Sequence, residues 1–141
     1  MAQRVEFEFA HVLRDRWIVL DHLAPVVIDH YGLYNNTRPD SVNGRRLLDL
    51  VPLSHVWMKL SAPYRLSETF PDYPDARDFH DALVRANPER LIWGTDWPHP
   101  QIAAGLMPDD GHLVDLFNEW TPDARHRRRI LVDTPARLFD A

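Results

Sequence analysis

Four short apolar runs recur along the chain, and each has the length of a β-strand. They occupy residues 5–9, 26–29, 56–60 and 91–94. The first run alternates apolar and acidic residues, which is typical of a strand with one buried and one polar face. The second is β-branched and wholly apolar before its closing aspartate, as expected for a parallel strand buried on both faces. The hydrophobic pattern therefore predicts a sheet of four strands.

Segments long enough for helices separate these runs. Apolar residues recur at helical spacing over residues 11–23, and three further helices are predicted at about 41–50, 75–85 and 111–120. Asp40 or Ser41 caps the first of these three. Near the end of the chain, Thr121 and Thr134 each precede a proline, which indicates an N-cap followed by proline in the first helical turn. Because strands alternate with helices, the pattern favours a parallel α/β sheet with right-handed crossovers.

Chain length limits how much of a barrel this pattern can form. A complete (β/α)₈, or TIM, barrel takes about 250 residues, whereas the chain has 141. Four βα units therefore amount to about half of a barrel, and we expect residues 1–141 to form a single domain. An open four-stranded sheet is the alternative that composition alone favours.

Charge and composition disfavour several classes of partner. The chain has 16 basic and 21 acidic residues, a net charge of −5, and so lacks the basic excess that nucleic-acid binding needs. It contains no cysteine, which excludes disulfide bonds, thiolate metal sites and a cysteine nucleophile, and fits a reducing compartment. No stretch approaches the roughly 20 apolar residues of a membrane span. We expect a cytoplasmic protein with no nucleic-acid or membrane partner.

Polar residues follow three of the four strands, at the positions where parallel α/β folds carry their reactive groups. They are Asp29 and His30 after the second strand, Ser61, Tyr64 and Arg65 after the third, and Asp96 and His99 after the fourth. A carboxylate, an imidazole and a guanidinium at one rim can activate a water molecule and hold an anionic substrate. The alternative is structural: Asp29 and His30 then simply end a strand, and Asp96 caps a turn. No role is expected for His80, which shows no metal-type spacing.

Four sequence motifs carry a family resemblance. In chain order they are VVIDHYG at residues 26–32, KLSAPYR at 59–65, LIWGTDWPHP at 91–100 and DTPARLF at 133–139. In this order they closely resemble motifs of the amidohydrolase-related family of TIM-barrel hydrolases, which has a lactonase branch. The resemblance implies an α/β fold that is a partial (β/α)₈ barrel of about four parallel βα units, corresponding to the C-terminal half of the family's barrel.

The resemblance also implies an activity and roles for individual residues. It implies attack of water on a lactone or amide carbonyl of a small carboxylated substrate. Asp96 and His30 match catalytic positions, with Asp96 as the candidate base. Arg65 matches an arginine that binds a substrate carboxylate, and the other substrate-binding candidates are Ser61, Tyr64 and His99. In metal-using members His30 and Asp96 correspond to ligands of a divalent metal such as zinc, whereas the lactonase branch has no obligatory metal.

Two departures from the family pattern matter. Thr134 stands where the family usually has asparagine, a conservative change because both residues cap helices. The His-x-His pair of the family's first strand is absent, so His30 and Asp96 supply two of the three protein ligands typical of catalytic zinc. A half-barrel also leaves strand edges and apolar sheet surface unpaired. We therefore expect a homo-oligomer or a complementing half-barrel, and a non-catalytic fragment or subunit is the alternative function.

Overall fold

The computed structural model describes residues 5–7, 25–32 and 38–139, and over 5–7 it describes the backbone alone. Four strands form one sheet in chain order: Val5–Phe7 (β1), Val26–Ile28 (β2), Val56–Leu60 (β3) and Leu91–Trp93 (β4). Every neighbouring pair of strands is parallel. The prediction of four adjacent parallel strands is confirmed. The helix predicted over residues 11–23 lies outside the described residues.

Alternation along β3 separates the two faces of the sheet. Val56, Met58 and Leu60 are fully buried, whereas Trp57 and Lys59 between them are half-buried. The buried residues share one core with apolar residues of the helices, chiefly Leu47, Phe79 and Leu83. Burying one side chain of this size contributes about 1.5–3 kcal/mol. This apolar layer therefore holds the helices against one face of the sheet.

Three helices lie close to their predicted positions. They are Val42–Leu50 (α1), Pro74–Ala86 (α2) and Asp110–Trp120 (α3). Ser41 caps α1, because its hydroxyl accepts a hydrogen bond from the backbone N–H of Gly44 at 3.0 Å. Asp109 caps α3 in the same way, accepting from the N–H of His112 at 2.8 Å. Within the described ranges, no helix is long and apolar enough to cross a membrane.

The first N-cap predicted near the end of the chain, Thr121, is wrong. Thr121 follows the end of α3 and its hydroxyl lies 2.8 Å from Nε2 of the buried His80. The next helix, Ala124–Arg128 (α4), is capped by Asp123, which accepts a hydrogen bond from the N–H of Arg125 at 2.8 Å. Thr121 cannot cap this helix because its side chain is buried and directed towards His80.

The second predicted N-cap, Thr134, is wrong because no new helix begins there. α4 continues through a π-helical turn, Arg129–Asp133, into Thr134–Phe139 (α5). Thr134 has helical torsion angles, with φ −71° and ψ −47°. Pro135 has no N–H and cannot donate the regular α-helical hydrogen bond. The wider turn just before the proline lets the helix continue past it.

Candidate active site

Residues from three loops meet at the carboxyl edge of the sheet. His30 follows β2 in the 3₁₀ turn His30–Gly32, Arg65 ends the turn Pro63–Arg65 after β3, and Asp96 follows β4. Because the strands are parallel, these loops leave the sheet on the same side. The structure brings all six predicted site residues into one connected cluster, the other three being Ser61, Tyr64 and His99.

Asp96 lies at the centre of this cluster. Its Oδ2 accepts a hydrogen bond from the Tyr64 hydroxyl at 2.6 Å and is 3.3 Å from both Nε and Nη2 of Arg65. Its Oδ1 lies 3.6 Å from Nε2 of His30, which is too long for a direct hydrogen bond. One carboxylate oxygen is therefore held by the protein, and the other faces an imidazole across a narrow gap.

His30 is oriented by Ser61 and kept uncharged by its surroundings. Its Nδ1 lies 2.8 Å from the Ser61 hydroxyl. Burial lowers the pKa of His30 below its usual 6.5, although the negative charges of Asp96 and Asp29 offset part of this effect. The ammonium of Lys59 lies 2.6 Å from Oδ1 of Asp29 and balances that carboxylate. At neutral pH the His30 imidazole is therefore neutral and able to accept a proton.

Arg65 is anchored at two points. Besides Asp96, its Nη2 donates a hydrogen bond to the backbone carbonyl of Pro100 at 3.0 Å. Its guanidinium carbon also lies 5.7 Å from the centre of the Tyr64 ring. The hydrogen bonds of Arg65 to Asp96 and Pro100 use Nε and Nη2, so neither of these two partners occupies Nη1.

Tyr64 and His99 connect Asp96 to an acidic residue that the sequence did not indicate. Burial and the hydrogen bond to Asp96 raise the pKa of Tyr64, so its hydroxyl stays protonated. Nδ1 of the buried His99 lies 3.2 Å from this hydroxyl, and its Nε2 lies 3.2 Å from Oδ1 of Asp110. Asp110 is the first residue of α3, where an aspartate ordinarily serves the helix terminus. No local signal could have marked it as a neighbour of the site.

The backbone is strained around the same residues. His30, Tyr31, Ala62, Asp96 and His99 all have φ between 51° and 72°, in the left-handed region. Each such residue other than glycine costs about 1–2 kcal/mol. Strain of this kind persists where the surrounding structure imposes it, and it is frequent at functional sites. The presence of these strained residues next to Asp96 and His30 supports a functional role for the cluster.

A cleft of about 380 Å³ opens beside Tyr64. Its apolar wall includes Phe70, Tyr73, Ile102 and Leu106, and Glu68 is the charged residue among those that line it. The rings of Tyr64 and Tyr73 meet edge to face, with centres 6.2 Å apart. Tyr64 therefore contributes its hydroxyl to the polar cluster and its ring to the apolar cleft.

The donor set at this site is incomplete for a metal ion. In the part of the chain that the structure describes, no group of three or more histidine, cysteine, aspartate or glutamate side chains is arranged to hold one. His30 and Asp96 are two donors, whereas catalytic zinc takes three protein ligands. The described residues therefore do not fit a catalytic zinc site on their own.

Parallel strands in chain order, with a polar cluster at their carboxyl ends, are the arrangement of part of a (β/α)₈ barrel. The sequence model of the Amidohydrolase family (Amidohydro_2) matches residues 7–141. The chain belongs to this family, and the resemblance inferred from the four sequence motifs is confirmed.

Two curated relatives have lactone-hydrolase names. The chain is 43% identical over 117 residues to 4-sulfomuconolactone hydrolase of Hydrogenophaga intermedia, an alignment that covers 82% of this chain and 39% of the relative. It is 38% identical over 129 residues to 2-pyrone-4,6-dicarboxylate hydrolase of Comamonas testosteroni, covering 81% of this chain and 40% of the relative. The chain thus spans about two fifths of the length of these relatives.

Solved structures share the fold. A protein of Agrobacterium tumefaciens in its apo form matches 98% of this chain and 49% of its own, with a TM-score of 0.77 and 31% identity. A probable 2-pyrone-4,6-dicarboxylic acid hydrolase of Acinetobacter baumannii with bound citric acid matches 83% of this chain and 44% of its own, with a TM-score of 0.70 and 28% identity. An amidohydrolase of Burkholderia multivorans with bound zinc matches 84% of this chain and 44% of its own, with a TM-score of 0.65 and 26% identity. The matches confirm the partial-barrel fold.

Proposed function

We propose that this chain carries the water-activating and substrate-binding groups of a lactone hydrolase that acts on small carboxylated substrates. The observation that carries the proposal is the environment of Asp96. One of its oxygens is held by Tyr64 and Arg65, while the other faces the neutral His30 across 3.6 Å. The lactone-hydrolase names of the two curated relatives support the same activity.

In the proposed reaction, a water molecule lies within hydrogen-bonding distance of both His30 Nε2 and Asp96 Oδ1. Asp96 takes a proton as the water oxygen bonds to the lactone carbonyl carbon. The ring C–O bond then breaks, and the ring oxygen leaves with the proton that Asp96 had taken. The product is an open hydroxy acid, and Asp96 is restored as a carboxylate. General acid–base catalysis of this kind contributes about 10²–10⁴-fold to the rate.

The proposed substrate makes two kinds of contact. Its carboxylate binds Nη1 of Arg65, since a guanidinium offers a planar set of donors to that group. Its uncharged part lies against the Tyr64 ring in the apolar cleft. For Ser61, Tyr64 and His99, contact with substrate stays a prediction. Their polar atoms meet protein groups in the structure, so we propose that they chiefly orient His30 and Asp96.

For a divalent metal, we propose only which residues would bind it. The Burkholderia multivorans amidohydrolase binds zinc. In this chain His30 and Asp96 are the two donors we propose for a cation such as zinc, which would polarise the bound water. We also propose a cytoplasmic location, in keeping with a chain that contains no cysteine.

The alternative function is a half-barrel without activity of its own. It is favoured by the coverage of about two fifths of the relatives' length and by β4, which pairs only with β3 among the described strands. We propose that residues 1–141 form one domain corresponding to the C-terminal half of the barrel. A second copy or a complementing half-barrel then covers the strand edge. Measuring the mass in solution tests this, because a stable monomer would argue against self-association.

Opening of carboxylated lactones in a pH-stat tests the proposed activity. The substrates are 2-pyrone-4,6-dicarboxylate and 4-sulfomuconolactone, and the chain is assayed alone and mixed with the N-terminal half of the Comamonas testosteroni hydrolase. We expect Asp96→Asn to lower kcat by about 10²–10⁴-fold, and Asp115→Asn, an exposed change on α3, to leave it unchanged. If neither preparation of the folded chain opens any lactone, the lactonase proposal fails and the non-catalytic alternative gains support.

A further inference from the structure

A buried line of hydrogen bonds runs from the His30 turn into the core. The hydroxyl of Tyr31 lies 3.0 Å from Nδ1 of His80, and Nε2 of His80 lies 2.8 Å from the hydroxyl of Thr121. All three side chains are buried, with exposed fractions of 2%, 0% and 1%. The line therefore links the loop after β2 to α2 and to the end of α3.

The direction of each hydrogen bond follows from the number of hydrogens available. Burial lowers the pKa of His80 to about 3, so its ring is neutral and has one N–H. His80 is the hydrogen-bond partner of the Tyr31 hydroxyl among the described residues, so Tyr31 must donate to Nδ1 or leave its buried hydrogen unpaired. The ring hydrogen of His80 then lies on Nε2 and is donated to Thr121. In this arrangement the Tyr31 hydrogen and the single ring hydrogen of His80 both have acceptors.

The turn that Tyr31 belongs to needs such an anchor. His30, Tyr31 and Gly32 have φ of 51°, 54° and 84°, three consecutive residues in the left-handed region. A Cβ on Gly32 would lie 2.7 Å from Cδ1 of Leu47, so the turn is also packed tightly against α1. Two non-glycine residues in this region oppose the turn by about 1–2 kcal/mol each. Contacts of the buried Tyr31 side chain must therefore hold the turn in place.

We infer that Tyr31, His80 and Thr121 are positioning residues that hold His30 against Ser61 and Asp96. His30 is the residue next to Tyr31, so rotation of the Tyr31 backbone changes the direction of the imidazole. With the anchor intact, Nδ1 of His30 meets Ser61 at 2.8 Å and its Nε2 faces Asp96 at 3.6 Å. The catalytic consequence rests on the proposed lactone hydrolysis, but the positioning of His30 does not.

The test is the ¹⁵N NMR spectrum of the histidine rings in the full chain. In the native protein we expect His80 in the Nε2–H tautomer, and a spectrum showing the Nδ1–H tautomer would overturn the inference. Tyr31→Phe removes the donor hydroxyl, and we expect it to displace the ring signals of His30, which are identified by their loss in His30→Gln. Unchanged His30 signals in a folded Tyr31→Phe protein would also overturn it.

A matched pair of substitutions separates positioning from loss of stability. Thr121→Val removes the acceptor of the His80 hydrogen at nearly constant volume, and Thr121→Ser retains it. We expect Thr121→Val to displace the His30 signals and Thr121→Ser to leave them at their native positions. Equal spectra for the two variants would contradict the inference, even if Tyr31→Phe does not fold. Because this readout needs no substrate, its failure is distinguishable from failure of the proposed activity.

Discussion

The guanidinium of Arg65 lies 3.3 Å from Oδ2 of Asp96 through both its Nε and its Nη2 atoms. The residue proposed to bind substrate is thus in direct contact with the residue proposed to move the proton. Each is only partly exposed, with 19% and 15% of the side-chain surface accessible, so the pair is shielded but still reached by solvent. The contact joins the loop after β3 to the loop after β4.

Arg65→Met separates the two proposed roles. A substrate carboxylate keeps its charge throughout the reaction. Losing its contact with Arg65 therefore weakens the binding of the ground state and of the transition state by the same amount. We expect KM to rise by an amount corresponding to about 1.5–3 kcal/mol, the contribution of a hydrogen bond to a charged group. Because Arg65 also holds Oδ2 of Asp96, we expect kcat to fall as well, but by less than in Asp96→Asn. Asp96→Asn should instead act on kcat. Steady-state kinetics with the complemented chain measures both, and Arg85→Met on an exposed face of α2 is the control. If Arg65→Met and Asp96→Asn both had small and equal effects on kcat, the cluster would be structural.

Zinc binding is expected to be weak in this chain. The described residues provide two donors, His30 and Asp96, where a catalytic site takes three. After dialysis, elemental analysis should therefore find well under one zinc ion per chain, and His30→Asn should remove what remains at the site. One firmly held zinc that is lost in His30→Asn would contradict the prediction and imply a third donor among the side chains of residues 1–24, 33–37 or 140–141, which lie outside the described set.

Acid should destabilise the fold through His80. Its pKa is about 3 in the folded chain and near 6.5 when unfolded, so between these values the unfolded chain binds the extra proton. The contribution of neutral His80 is complete above pH 6.5 and falls by about 1 kcal/mol for each pH unit below it, towards pH 3. Urea unfolding of the native chain and of His80→Gln from pH 7 to pH 4 measures the difference. Parallel stability curves for the two proteins would refute this origin of acid sensitivity.

Gly44 cannot be replaced without moving the chain. A Cβ at this position would lie 1.9 Å from the carbonyl oxygen of Arg38, a backbone atom that cannot turn aside. We expect Gly44→Ala to lower the free energy of unfolding by about 1–3 kcal/mol, as other overpacked substitutions do. Gly105→Ala is the matched control, since nothing lies within 4 Å of the added carbon. Urea titrations that give equal stabilities for both variants would disprove the steric account.

The sequence predicted correctly where the strands lie and that polar residues from their ends meet at one edge of the sheet, but it misassigned the starts of the C-terminal helices. Strand positions depend on the local alternation of apolar residues, and polar residues at strand ends can be placed on one edge once the strands are known to be parallel. His30, Arg65 and Asp96 were found in this way. Thr121 and Thr134 were misassigned because a threonine before proline has the same local pattern whether its side chain caps a helix or is buried elsewhere.

By itself, the sequence determined that the chain forms parallel βα units, that it resembles the amidohydrolase family, and which residues lie at the strand ends. The tertiary structure alone decided that Tyr64 and Arg65 share one oxygen of Asp96, that Asp110 meets His99, and that Tyr31 is anchored by His80. The reason is physical. Apolar periodicity acts between near neighbours in the chain, whereas these polar contacts join distant segments, and their partners depend on how helices and loops pack against the sheet.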